Sequence, residues 1–312
     1  MTSIDDLPFI QKELSKYFNI TYIKNPSHNT IKDNIDGFFA IFTNPNNTRV
    51  FLGKEILEKA NNLKVICTAS TGTNHIDLNV AKSKKIKIIC LKEERSIINK
   101  ISSTAELALG LTINSLRNIN LSYLSVLNNK WDYAPYIGRQ MNHLKIGVVG
   151  YGRLGKFYCK YISSFGSKIF VYDPFKKIKN SKYHQINNLS KFLSICDIVS
   201  IHIHYNENNN KIINSEWFRK MKSNVIIINT SRGELIDEKD LINFLKKNKN
   251  SKYAADVVDN ESNYTHNNLI EFSKKNNQII LTPHIGGMTK EAREYAYSHA
   301  SKKLIEYYKL VN

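Results

Sequence analysis

Cysteine is scarce and scattered: Cys67, Cys90, Cys159 and Cys196 are the only four in 312 residues, and no two stand as C-x-x-C. That spacing argues against a disulfide framework or a structural zinc site and fits a reducing cytoplasm. Long apolar runs are missing too. The longest aliphatic stretch is four residues, Val225–Ile228, far short of the ~20 that a membrane helix needs. The first residues, Met1-Thr2-Ser3-Ile4-Asp5-Asp6, lack the apolar core of a signal peptide. There is no internal repeat and no low-complexity segment.

Acidic residues are also in deficit, 27 against 45 basic ones, for a net charge of +18. A basic chain raises the question of a nucleic-acid partner. The lysines, however, come in short pieces (Lys82-Ser83-Lys84-Lys85, Lys176-Lys177, Lys246-Lys247, Lys274-Lys275) spread over surface helices and loops rich in asparagine. This is the pattern of solvated faces, so neither nucleic acid nor membrane is expected as a partner. A field of this sign gathers anionic small substrates.

What is present reads as a globular α/β chain. Hydrophobic residues make up 42% and charged residues 23%, ordinary values for such a protein, and the length suggests two domains. Short β-like runs alternate with helical stretches, the signature of parallel sheets. In the first third the strands are expected near Ile20–Ile23, Gly37–Ile41, Lys64–Cys67 and Lys87–Cys90. Helices are expected near Asp6–Tyr17, Lys54–Asn61 and Ile76–Ser83, then one long helix from Ser103 to about Leu127. After a turn-rich connection, Asp132 to His143, a second series has strands near Lys145–Val149, Lys168–Tyr172, Ile198–His202, Val225–Asn229, Ala254–Val258 and Ile279–Leu281. A helix over about Lys290–Tyr308 closes the chain.

The sharpest local signal is G-x-G-x-x-G, as Gly150, Gly152 and Gly155, directly after a strand and opening a helix that includes Arg153 and Leu154. In a dinucleotide site the first glycine permits the tight turn, the second admits the pyrophosphate to the backbone, and the third lets helix and strand pack closely. The helix N-terminus then faces the phosphates. The next strand ends at Asp173, about 23 residues after Gly150, where a carboxylate can accept from the adenine ribose hydroxyls and would repel a 2′-phosphate. Asp173 also suits a turn before Pro174, and Lys176 and Lys177 lie close by. The same glycines nearly spell a P-loop, but Phe157 stands where a Ser or Thr would hold magnesium.

Three segments lie at expected strand ends: Asn229-Thr230-Ser231-Arg232-Gly233, Asp256-Val257-Val258-Asp259-Asn260-Glu261, and Thr282-Pro283-His284-Ile285-Gly286-Gly287. Ligands of open α/β sheets bind outside the carboxyl ends of the strands, so these loops are expected to bring an Arg, a Glu and a His together. His202 and His204 alternate like metal ligands, but no third ligand is evident and no metal is expected.

With these segments the sequence resembles the D-isomer-specific 2-hydroxyacid dehydrogenase family, from about Lys64 onward. The matches are N-x-(S/A)-R-G at Arg232, D-V-x-x-x-E at Glu261 and T-P-H-x-G-G at His284, with spacings of 29 and 23 residues. The resemblance implies Arg232, Glu261 and His284 as the catalytic residues. It implies that Ser70, Thr71, Gly72, Thr73 and Asn74, with Arg232, bind substrate; Gly72-Thr73-Asn74 looks most like the phosphoglycerate dehydrogenase branch. For NAD it implies Thr104, Gly150, Gly152, Arg153, Leu154, Gly155, Asp173, His202, Thr230, Ser231, Asp256, Gly286 and Gly287. Asp256 matches the residue that binds the nicotinamide carboxamide, and His202 a wall of the cofactor pocket. Two positions depart from the family pattern: Ser262 replaces a Pro after Glu261, and His204-Tyr205 replaces Pro-Leu.

The implied fold is α/β, with two Rossmann-like or flavodoxin-like domains of parallel sheets. A discontinuous substrate domain spans 1–103 and 287–312, trimmed at its N-terminal end, and an NAD-binding domain spans 104–286. The implied reaction is hydride transfer between NAD and a small-molecule 2-hydroxy or 2-oxo acid of phosphoglycerate, glycerate or glyoxylate type. A cytoplasmic homodimer is implied, with the arm near Trp131–Tyr136 as a contact. Feedback through a C-terminal regulatory domain is not expected. An NAD(H)-sensing regulatory protein and a basic nucleic-acid binder are the alternatives, separated from the enzyme by turnover and by salt-dependent DNA binding.

Overall fold

In a computed structural model of the chain, which describes residues 7–23, 26–44, 50–179 and 182–312, every strand of the described residues pairs in parallel. The chain divides into two compact units, Ser102–Gly286 and the combination of Met1–Ile101 with Gly287–Asn312.

The first of these is built on seven strands: β4 (Lys145–Val149), β5 (Lys168–Tyr172), β6 (His184–Gln185), β7 (Ile198–Ile201), β8 (Ile226–Asn229), β9 (Lys252–Ala255) and β10 (Ile279–Leu281). Their order is β10-β9-β8-β7-β4-β5-β6. All residues of β7 and β8 are buried, as expected of parallel strands covered on both faces. Alternate residues feed two cores. Val149, Val199, Ile201 and Ile227 pack with Phe192, Trp217 and Leu241. Ile146, Val148, Ile198 and Ile228 pack with Leu111, Tyr158 and Ile162. The strand order reverses at β4, where the chain first adds β5 and β6 and then returns to place β7 on the other side. The crevice at the carboxyl ends beside that reversal is the ligand position of such sheets.

The other unit has a three-stranded sheet, β1 (Ala40–Thr43), β2 (Val65–Thr68) and β3 (Lys87–Ile89), in that order. Val65 and Cys67 on one face meet Ile10, Leu14, Tyr297, Ala300 and Leu304 from the helices Pro8–Ser15 and Lys290–Val311. Ile41 and Ile66 on the other face meet Ile31, Leu52, Ile56 and Ala81.

Expectations change at several places. The strand expected at Gly37–Ile41 is β1, Ala40–Thr43, because a 3-10 turn over Ile35–Gly37 comes first. Ile20–Ile23 forms no strand. Its β-branched residues favour extended chain, but strand formation depends on pairing and packing rather than propensity alone. The long helix is two, Ser103–Arg117 and Ile119–Leu127, divided at Asn118 with φ 54°. Lys252 supports the break: its Nζ donates to Ser115 O at 2.8 Å and to the Asn118 side chain, supplying a cation and donors at a helix C-terminus. The strand expected at Ala254–Val258 is β9, Lys252–Ala255, because Asp256 onward turns away into a loop. The N-terminal helix runs over Pro8–Ser15, and Asp6 lies outside the described residues.

Candidate functional site

The glycine turn has the shape its sequence requires. Gly150 sits at φ +90°, and a Cβ there would meet His202 O at 2.7 Å. A Cβ on Gly155 would lie 2.1 Å from Gly150 O. Nothing lies within 4 Å of a Cβ on Gly152, so that glycine faces open space. It is also the N-cap of the helix Arg153–Ser163, with no side chain capping the first turn. Backbone N–H groups uncapped by any side chain, beside an open glycine, suit a pyrophosphate. At the end of β8, two strands from β4, Thr230 is buried and its hydroxyl has no partner. These features fit a dinucleotide.

Asp173, buried at the end of β5, holds this turn together. Its Oδ2 accepts from Tyr151 N at 2.8 Å and its Oδ1 from Phe175 N at 3.0 Å. The carboxylate therefore both forms the turn before Pro174 and pins the glycine loop, with lone pairs left over for ribose hydroxyls.

His202 follows β7 and is buried beneath the glycines. Its Nε2 lies 2.9 Å from Ser200 Oγ, and its ring sits 4.9 Å from that of Tyr158. Burial drives its pKa down to about 3, so the ring is neutral. Tyr158 OH in turn lies 2.8 Å from Thr112 Oγ1.

The three strand-end segments follow β8, β9 and β10, which adjoin in the sheet. Arg232 leaves the end of β8 in extended conformation, and its Nη1 donates to Ser231 O at 2.6 Å. The turn is tied by Asn229, whose Nδ2 donates to Arg232 O at 2.9 Å and whose Oδ1 accepts from Ser231 N at 3.0 Å. Ser231 Oγ donates to Ile201 O at 2.9 Å. Gly233 is required because a Cβ there would lie 1.9 Å from Val258 C. That contact also packs the Arg232 turn on the segment leading to Glu261. Burial raises the carboxyl of Glu234, which is influenced by the charges of both Arg232 and Glu261.

Glu261 and His284 meet: Glu261 Oε2 lies 2.7 Å from His284 Nδ1. A carboxylate only accepts, so Nδ1 carries a hydrogen and donates it. His284 sits at φ 57°, in the left-handed region. Asp256 is buried beside it and accepts from Thr282 Oγ1 at 2.5 Å, Ile285 N at 2.8 Å and Gly286 N at 2.7 Å. Burial raises its carboxyl, and these three bonds oppose the rise. A Cβ at Gly286 would come within 3.0 Å of Asp256 Oδ2 and 3.2 Å of Thr104 Cγ2, so Thr104, Asp256 and Gly286 converge.

In the smaller unit Ser70–Asn74 is the loop after β2. Thr68 Oγ1 lies 3.0 Å from Ser70 Oγ, which donates to Gly72 O at 2.6 Å. Thr43, Asn44 and Thr68 are buried polar residues at the same strand ends. His75 follows the loop, buried and lowered to about 4 by that burial. Gly287 also belongs to this unit, with nothing near its Cβ position. Among the described residues no group of three His, Cys, Asp or Glu side chains could hold a metal ion, and no helix is long and apolar enough to cross a membrane.

Asn229 and Thr282 stand inside the sequence motifs, but their hydrogen-bonding roles emerge only from the fold. Thr43, Asn44 and Thr68 carry no motif, and only their place at strand ends exposes them.

Residues 109–286 match the family model described as D-isomer specific 2-hydroxyacid dehydrogenase, NAD binding domain. The chain is 29% identical to the D-3-phosphoglycerate dehydrogenase of Haemophilus influenzae, over 83% of its own length and 62% of the other, so it spans less than two thirds of that relative. It is 32% identical to the hydroxypyruvate reductase of Thermotoga maritima, over 77% of its own length and 76% of that protein. The structure of D-lactate dehydrogenase from Aquifex aeolicus, complexed with NAD and lactic acid, superposes with a TM-score of 0.81. It is 26% identical, over 99% of this chain and 94% of that one.

Proposed function

The chain belongs to the D-isomer specific 2-hydroxyacid dehydrogenase family, and on that premise we propose that it interconverts a D-2-hydroxy acid and its 2-oxo acid with NAD(H). The observation that carries this reading is the 2.7 Å contact between His284 Nδ1 and Glu261 Oε2, in the segments that follow β10 and β9, with β9 beside the strand that leads to Arg232. When bound, the nicotinamide supplies or receives the hydride.

The protein's own groups do the rest. Arg232 holds the carboxylate and polarises the 2-oxo group, a task for a planar fork of donors. Its contact with Ser231 O fixes one edge of the guanidinium and leaves further N–H groups for substrate. With Nδ1 committed to Glu261, His284 protonates the forming alkoxide through Nε2 in reduction and takes the proton back in oxidation. Glu261 fixes the ring's orientation and holds the hydrogen on Nδ1. Backbone N–H groups of Ser70–Asn74 are assigned to the substrate carboxylate. The turn Gly150–Gly155, with Arg153 and Leu154, is assigned to the pyrophosphate, and Asp173 to the adenine ribose. Thr104, Asp256, Gly286 and Gly287 are assigned to the nicotinamide half, and His202, Thr230 and Ser231 to the walls. Ser102–Gly286 thus serves as the cofactor domain and the remainder as the substrate domain. NADH is preferred over NADPH because Asp173 meets a 2′-phosphate with like charge.

The protein works as a cytoplasmic homodimer. Trp131, Tyr133 and Ile137 are 89%, 82% and 76% exposed, beside a helix that also exposes Tyr123, Leu124 and Leu127. An apolar face of this kind marks an interface, and sedimentation analysis gives the mass that tests it. The reaction is tested by NADH oxidation against a panel of 2-oxo acids with and without phosphate groups. Turnover with at least one is expected, and binding of NADH with no turnover of any would overturn the reading.

A further inference from the structure

Residues 282–286 are wrapped around a single carboxylate. Thr282 Oγ1 donates to Asp256 Oδ1 from one side of His284, and Ile285 N donates to the same oxygen from the other. Gly286 N donates to Oδ2. The loop is anchored further by Thr282 N, which donates to Ala255 O at 2.9 Å, immediately before Asp256 in the chain. Between these anchors His284 N donates to Thr282 O at 3.0 Å, and the residue adopts a left-handed backbone, uncommon outside glycine.

We propose that Asp256, acting with the Thr282 hydroxyl, is a positioning residue for His284: it clamps the backbone on both sides of the histidine and so aims Nδ1 at Glu261 and Nε2 at the reacting oxygen. This rests on the reading of His284 as the proton carrier. The clamp needs a carboxylate rather than an amide. Three donors converge on two oxygens, and an Asn would turn one acceptor into a donor facing an N–H or a hydroxyl. It also explains why position 286 is glycine: any Cβ would press on Oδ2 and on Thr104. One bond to Oδ2 leaves a lone pair there, so a contact with the nicotinamide amide is compatible with the clamp.

The test compares Thr282→Val, which is isosteric and removes only the hydroxyl, with Thr282→Ser, which restores it, and with Asp256→Asn. Thr282→Val should lower kcat about tenfold, the scale of one hydrogen bond to a charged group, with the NADH dissociation constant within about twofold. Thr282→Ser should recover most of the loss. Asp256→Asn should lower kcat further. Independently of turnover, the Nδ1 proton of His284 in ¹⁵N-edited spectra of the whole protein should be held by Glu261 in the unmodified chain and in Thr282→Ser, and exchange-broadened in Thr282→Val. Failure of the dehydrogenase reading would remove activity from every protein but leave this spectroscopic contrast. A His284 signal unmoved by Thr282→Val, or an Asp256→Asn defect confined to NADH affinity, would overturn the clamp.

Discussion

Two histidines stand at carboxyl ends of the same sheet and are put to opposite uses. His284, after β10, donates from Nδ1 to a carboxylate. His202, after β7, is buried among hydroxyls and glycine backbone, with Ser200 as its partner and Tyr158 against its ring. Burial without a carboxylate partner disfavours a cationic ring, and the pKa of His202 at about 3 reports that. Surroundings, not residue type, decide which imidazole is paired with a carboxylate and which is held among hydroxyls.

The contrast is tested first where the expected effect is largest. His284→Ala should lose at least ~10²-fold in kcat, the lower range for general acid–base catalysis, with NADH affinity kept within about twofold by fluorescence titration. His202→Gln should leave kcat within a few-fold. If it costs turnover as severely as His284→Ala, the two sites are not distinct in kind.

The next effect lies in stability. A histidine lowered to about 3 in the fold against ~6.5 when unfolded lets only the unfolded chain take up a proton as pH falls below ~6.5. The stability it contributes is complete above ~6.5 and drains away down to about 3. At pH 5 the loss is on the order of 2 kcal/mol. His75, lowered to about 4, acts in the same direction. Denaturant melts at pH 7 and pH 5 should therefore differ less in His202→Gln than in the unmodified protein. An unchanged difference would mean that His202 is charged in the fold.

Glu261→Gln keeps the shape at His284 but removes the charge. Its cost should be about tenfold in kcat, the scale of a charged hydrogen bond, again without loss of NADH. The smallest effect is expected at Asp173→Ser, which should narrow the ratio of NADH to NADPH affinity by a few-fold. Because Asp173 also holds Tyr151 N, part of the change should be weaker binding of both cofactors, measured by paired titrations.

Much of this arrangement was legible in the residues themselves. G-x-G-x-x-G after a buried strand, and Arg, Glu and His at successive strand ends, are local patterns whose physics is local too. The bounds of β4, β5 and β10 follow directly from their apolar runs. What was not legible depends on distant partners. The break at Asn118 is supported by Lys252, more than a hundred residues away in sequence, and Asp256 acquires its loop only when β10 lies beside β9. Ile20–Ile23 reads as a strand because propensity is visible in sequence, while the absence of a ladder is not. The motif places His202 in the pocket wall, but its neutrality comes from its burial.

The discontinuity of the smaller unit has a consequence for how the chain is made. Ala296, Tyr297, Ala300 and Leu304, which fill one of its cores, lie on the helix Lys290–Val311, whereas Ser102–Gly286 is contiguous. At ~5–20 residues per second of synthesis, the opening hundred residues wait roughly ten to forty seconds for that helix. During the wait Val65, Cys67, Ile10 and Leu14 lack the part of their cover that Ala296, Tyr297, Ala300 and Leu304 supply. The contiguous unit can finish folding first, so the segment made just before it waits longest for its full core.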